Sequence, residues 1–419
     1  MQIYTASYLL PIASPPIAGG GIAVENGRIV AVGPAAELPV PSGAKVVDLP
    51  GCAILPGLVN AHTHLELTHF PAWKVRKNLD YLPKTYVEWI SQVVKIRRVL
   101  TPEEVEQSVR EGLRLCIESG TTAVGEILSD FSLAHLYEAS PLTGRLFLEG
   151  LGQDPVQGEA LLKRLMASLQ ALKGNFLPGI SPHTPHTVSQ ALMLELNRLS
   201  QWLDIPKAIH LSESREEVSF MFDSTGPIAE VMYQMAHWDE YLPAPRKATS
   251  TSYLEELGVL DRKTLAIHAV HVTPADVAVL KERGVTVVLC PRSNDRLNVG
   301  KAPYRLLKSS GLPLALGTDS LASNDSLSLW DEIHFLRESD PDTFSPAELI
   351  AMATQGSARA LGLEGQLGTL EAGKRGDFLV FSGLEGAGAD AAAAVLERGR
   401  LEQVYLAGRS TPRPLTPPF

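Results

Sequence analysis

The sequence predicts an α/β chain: a (β/α)8 barrel joined to a small composite β-sandwich domain built from both termini. Three observations carry this. Through the middle of the chain, short and uniformly apolar runs alternate with well-capped amphipathic helices, the pattern of a parallel sheet covered by helices. Eight of these runs end near Ala61, Glu126, Glu149, Pro182, His210, His268, Cys290 and Asp319. Eight βα units over about 300 residues match a closed barrel in count and length. Both termini read as β structure instead, and neither is large enough to bury a core alone.

Residues 1–57 hold short strands and turns, among them a hairpin in which Asn26-Gly27 separates two apolar runs. Residues 58–362 form the barrel. Its helices are signposted: Thr101-Pro102-Glu103-Glu104 supplies an N-cap, a proline in the first turn and a capping-box acid, and Gly120 marks the stop. Thr273-Pro274-Ala275-Asp276 and Ser345-Pro346-Ala347-Glu348 repeat that grammar. Residues 363–419 return to β structure at Phe378–Phe381 and Val404–Gly408, with a Gly/Ala-rich stretch at 386–394 between them, and should pair with residues 1–57. A doubly wound open sheet would want a Gly-rich phosphate turn after its first strand, where this chain has Asn60-Ala61-His62-Thr63-His64.

With 37 basic against 47 acidic residues among 419, the net charge is −10 and no basic patch stands out, which disfavours nucleic acid as a partner. No apolar stretch approaches the ~18 residues of a membrane span. No secretory signal is visible at Met1–Thr5. Cys52, Cys116 and Cys290 are odd in number and widely spaced, so neither a disulfide framework nor a cysteine zinc site is expected. A cytoplasmic protein acting on a small molecule, with a homodimer allowed, is the simplest expectation.

The chemistry gathers at the strand ends. His62 and His64 are alternate residues on the first strand, so two imidazoles can converge on one ion. With 11 histidines in the chain, roughly 0.3 such pairs arise by chance, so the pair gains meaning from its position. His210 ends another strand, with Glu213 within reach of a water held there. His268 ends the next, with His271 three residues on, and Asp319 follows the last. Singly, each has an ordinary alternative, such as a helix cap for Asp319. Together they fall on the face where barrels of this kind keep their sites.

The segments PGLVNAHTHLE, SPHTPHTVS, HLSES, IHAVH, LCPRSN, LGTDSLASN and GTLEAGKRGDFLVF resemble, over essentially the whole chain, the amidohydrolase superfamily and its deaminase and chlorohydrolase branch. The resemblance implies that His62, His64, His210 and Asp319 bind one divalent metal, with zinc expected and iron or manganese allowed. It implies that Glu213 shuttles protons and that His268, nearer its strand end than His271, is the sixth-strand catalytic histidine. Asp319 would share in catalysis, and His183 would touch substrate. The bridging lysine of two-metal relatives is missing from Ile180–His186, which is why one ion is expected. The motifs look most like those of the aminodeoxyfutalosine deaminases of an alternative menaquinone route. Adenosine, S-adenosylhomocysteine, guanine and triazine hydrolases are the alternatives, as is a scaffold relative without activity. A nucleoside with a benzoate-bearing arm would need a cation, expected from Arg292 or Arg296. Glu66, in the loop after the first strand, is a further expected substrate contact, and residues 225–251 could cover the site.

Overall fold

The structure is a computed structural model that describes residues 1–386 and 390–412. Eight parallel strands run in chain order round the barrel: Leu58–Thr63, Thr121–Leu128, Thr143–Gly150, Phe176–Pro182, Lys207–Leu211, Thr264–His268, Thr286–Leu289 and Leu314–Leu316. The expected strand ends agree to within three residues. Thr63 bridges Asp319 in parallel register, bringing the first and eighth strands together. Polar side chains lock that seam, because the Asn60 amide donates to the Thr318 hydroxyl at 2.8 Å and accepts from the Thr318 backbone N–H at 3.2 Å.

Strand alternation sorts the side chains. On the sixth strand, Leu265 and Ile267 join Val59, Phe147 and Val288 inside the barrel, while Ala266 packs outward in the layer shared with the helices. Leu361, Leu363 and Leu367 belong to the interior cluster. The Leu361 carbonyl accepts from Arg145 near the start of the third strand, so the strand-start end is plugged. The other end carries the site. Outside, the three capping boxes at Thr101, Thr273 and Ser345 form as expected, and Gly120 takes the left-handed conformation at φ +91° that ends its helix.

The terminal strands make one eight-stranded sheet. Phe378–Ser382 pairs antiparallel with Lys45–Pro56, which runs parallel to the N-terminal strand Gln2–Leu9. Asn26 and Gly27, at φ +50° and +77°, form the two-residue turn of the hairpin beyond. The Tyr4 and Phe378 rings lie 4.9 Å apart although a strand intervenes and their partners on it are Val47 and Pro56, whereas a flat sheet would separate their backbones by about 30 Å. The sheet therefore curls round its own apolar face. Part of the Gly/Ala-rich stretch is helical, with Asp390 capping Ala391–Arg398, while residues 387–389 and 413–419 lie outside the described residues. Among the described residues, no helix is long and apolar enough to cross a membrane.

Candidate active site

At the strand-end face, a cavity of about 450 Å³ opens over the barrel, with His64, His183, His210, Glu213, His268 and Asp319 on its inner wall. His62 lies directly beneath, fully buried, with neither ring nitrogen hydrogen-bonded. His62 Nε2 and His64 Nε2 each lie 3.6 Å from Asp319 Oδ1, and His64 Nε2 lies 3.3 Å from His210 Nε2. Backbone geometry aims these groups. His210 donates from Nδ1 to the His183 carbonyl at 3.0 Å, so Nε2 carries its lone pair into the cavity. Asp319 Oδ2 accepts from Ser293 and Ser323, each at 2.7 Å, leaving Oδ1 for the imidazoles. His268 and Asp319 sit in left-handed backbone, at φ +72° and +58°. Such strained positions concentrate at functional sites.

Electrostatics put these groups in the states that a metal needs. Burial drives the His62 and His210 imidazoles below their ordinary range and His64 down to about 3, so all three are neutral near pH 7. Burial pushes the Asp319 carboxyl up, but His62, His64 and His268 outweigh it and hold it well below the usual range. His64 Nε2 and His210 Nε2, 3.3 Å apart, are close enough to share either a proton or a cation. Ligands bonded at about 2.0–2.2 Å to one tetrahedral ion stand roughly 3.3–3.6 Å from each other. Orphaned His62 and these spacings therefore fit a single cation held by His62, His64, His210 and Asp319.

Glu213 is the opposite case. Burial first, then Asp319 and Glu217, push its carboxyl well above the ordinary range, which favours its protonated form. Its Oε1 lies 3.7 Å from His268 Nε2, and His268 donates from Nδ1 to Asn294 at 2.9 Å. His271 turns away, with its ring on the Val299 carbonyl at 2.7 Å. His183 lines the cavity, its Nδ1 2.7 Å from the Thr187 hydroxyl.

Other expected substrate contacts are placed away from the cavity. Arg292 and Arg296 do not line the cavity, because both are drawn to Asp325, and Arg292 also faces buried Glu332. The arginines in the wall are Arg97 and Arg98. Glu66 is buried behind that wall, accepting from Arg97 at 2.5 Å and from the Ser129 and Asp130 N–H groups at 2.7 and 3.0 Å. Its carboxylate is turned to Arg97 and the Ser129–Asp130 backbone. Met232, Met235, Ala236 and Trp238, from the segment expected to cover the site, form part of the outer wall.

Three further acids act on the site: Glu126 and Glu149 stand at strand ends in the sequence, and Glu217 carries no signal there. Glu217 accepts from the Ser212 and Glu213 N–H groups, each at 2.8 Å, and so sets the backbone of Glu213. Glu126 accepts from Thr63 Oγ1, the Leu65 N–H and the Tyr137 hydroxyl at 2.5, 2.8 and 2.7 Å, pinning the turn that carries His62 and His64. Glu126→Ala strands those three buried donors; at about 1–3 kcal/mol each, denaturant unfolding should show a loss of at least ~3 kcal/mol. Glu149 is the third, in the cavity wall. Gly317 has its own reason: a Cβ there would lie 2.7 Å from His62 Cβ. Gly317→Ala should push His62 aside and lower kcat/KM by about a hundredfold, the scale of a 1 Å misplacement.

The profile of the amidohydrolase family matches residues 53–411. The chain belongs to the amidohydrolase family. It is a hydrolase of carbon–nitrogen bonds, from a family that uses a divalent metal. A 5-methylthioadenosine/S-adenosylhomocysteine deaminase of Desulforudis audaxviator is 31% identical over 388 residues, covering 90% of this chain and 83% of that one. An aminodeoxyfutalosine deaminase of Deinococcus radiodurans is 30% identical over 362 residues, covering 82% and 81%. Among solved structures, an adenosine deaminase of Xanthomonas campestris with bound zinc superposes with a TM-score of 0.82 at 25% identity, covering 98% of this chain and 92% of that one. The aminofutalosine deaminase of Helicobacter pylori with methylthio-coformycin reaches 0.86 at 22% identity over 98% and 100%, a likeness of fold.

Proposed function

We propose that this amidohydrolase is a hydrolytic deaminase of a 5′-substituted adenine nucleoside, working with one divalent cation. The observation that carries the reading is the convergence of three neutral imidazoles, an aspartate held low and a glutamate pushed high at the floor of one cavity of about 450 Å³, a size within the range of small-ligand sites. His62, His64, His210 and Asp319 would hold the ion, whose chemistry when bound is to acidify a water toward neutral pH. Their nitrogen and oxygen donors suit zinc and also accept ferrous iron or manganese.

Glu213 does the proton work. Its raised carboxyl gives a proton to the ring nitrogen beside the amino-bearing carbon, and the carboxylate left behind takes a proton from the attacking water and passes it to the departing ammonia. Glu217 fixes its backbone, and His268, locked by Asn294, presents Nε2 beside it. Water adds to the amidine carbon, the carbon–nitrogen bond breaks, and the products are the oxo-purine nucleoside and ammonia.

Aminodeoxyfutalosine stays the first candidate substrate, supported by the Deinococcus relative. One observation favours 5′-methylthioadenosine as the second: Leu67, Trp89, Ile90, Val93 and Trp238 make much of the cavity wall apolar, which suits an uncharged arm. Ammonia release from metal-replete protein should be measured on both, beside S-adenosylhomocysteine, adenosine and guanine. The reading expects kcat/KM to be highest on a 5′-substituted adenine nucleoside. Turnover of guanine alone, or of nothing, overturns it.

A further inference from the structure

We propose that Glu149 selects the sugar of the substrate, its open carboxylate oxygen accepting hydrogen bonds from a vicinal diol. This rests on the adenine-nucleoside reading above. Glu149 closes the third barrel strand and is buried, yet it lines the cavity. Its Oε2 accepts from the Ser129 hydroxyl at 2.6 Å. Among the described residues, no hydrogen bond reaches Oε1, and the His183 ring nitrogen 3.9 Å away is beyond hydrogen-bond range. Ser129 is itself fixed, because its N–H donates to Glu66. The carboxylate is thus held through Oε2 with its other acceptor open to the cavity, where a substrate donor can reach it.

The neighbours decide which donor. An anionic group would meet Glu149 with Glu66 behind it, and a cationic group would meet Arg97, which lines the same wall. A neutral hydroxyl pair suits both, donating to Glu149 and accepting from the guanidinium. Position agrees as well. Glu149 lies beside His183, whose ring contacts His210 of the inner cluster, while Leu151 two residues on belongs to the outer wall. A base at the inner cluster and an arm toward the outer wall leave the sugar between them.

The test compares adenosine with 2′-deoxy-, 3′-deoxy- and 2′,3′-dideoxyadenosine on wild type, Glu149→Gln and Ser129→Ala, all metal-replete. Wild type should prefer adenosine to the dideoxy compound by about ten- to a hundredfold in kcat/KM, the range for hydrogen bonds to a charged acceptor. Glu149→Gln should erase most of that preference, losing at least tenfold more on adenosine than on the dideoxy compound, chiefly in KM. Ser129→Ala should erase part of it. Equal losses on both substrates would show that Glu149 only positions His183, and they overturn the proposal. So does a wild type that does not discriminate, a result that needs no variant to fold. A wild type inert on every adenine nucleoside refutes the deaminase reading itself, and the sugar site falls with it.

Discussion

Glu213→Gln should lower kcat by roughly 10²–10⁴, the usual contribution of a positioned acid–base group, while metal content and KM stay near wild type. The substitution keeps the size of the side chain and a polar head that can still hydrogen-bond Tyr86. It leaves in place the Glu217 contacts that set the backbone, as well as the four expected ligands. Only the ability to take and return a proton is lost. That ability is favoured here because two carboxyls in one cavity are driven apart: the neighbouring imidazoles hold Asp319 well below the usual carboxylate range, while burial and Asp319 push Glu213 well above it. Such divergence marks acid–base assignments. The pH profile gives a second readout, since the variant should lose the limb that reports Glu213. A glutamine variant within a few fold of wild type would assign the proton transfers elsewhere.

The histidines and Asp319 are legible in the sequence because each stands at or just past the end of a buried strand, and strands are the best-marked elements of this chain. The (β/α)8 reading then places them on one face without further information. Acids at the same strand ends are less legible. Glu126, Glu149 and Glu217 look in sequence like ordinary acids, and only the fold shows that Glu126 pins the turn after the first strand or that Glu149 lines the cavity. The arginines show the limit most plainly. Arg292 directly follows a barrel strand, which makes it a natural candidate, yet Asp325 and Glu332 draw its side chain away from the cavity. Arg97, at the end of a surface helix, faces the cavity because Glu66 draws it there. Direction is set by the partner acid, and a pairing across 31 residues leaves no local pattern in the sequence.

The largest effects belong to the metal site. Chelated protein should be inert, recover on addition of one equivalent of divalent ion per chain, and melt several degrees lower than the loaded form, because an ion that binds only the folded state stabilises it by mass action. Asp319→Asn should give most of the same loss in a single substitution. Its Oδ1 faces both His62 and His64, and an amide supplies no negative charge to the ion. Loss of an outer partner of a metal ligand commonly costs 10–100-fold in affinity or activity, so loss of the charge on a ligand itself should cost more, about 10³ or beyond in kcat/KM. Ser293→Ala and Ser323→Ala remove single hydrogen bonds that orient Asp319 and should fall in the 10–100-fold range. This gradation separates ligation from simple loss of folding, since all three variants leave the barrel seam at Asn60 and Thr318 intact. Two ions per chain by elemental analysis would overturn the single-ion assignment. An Asp319→Asn protein with full metal content and full activity would remove Asp319 from the ligand set.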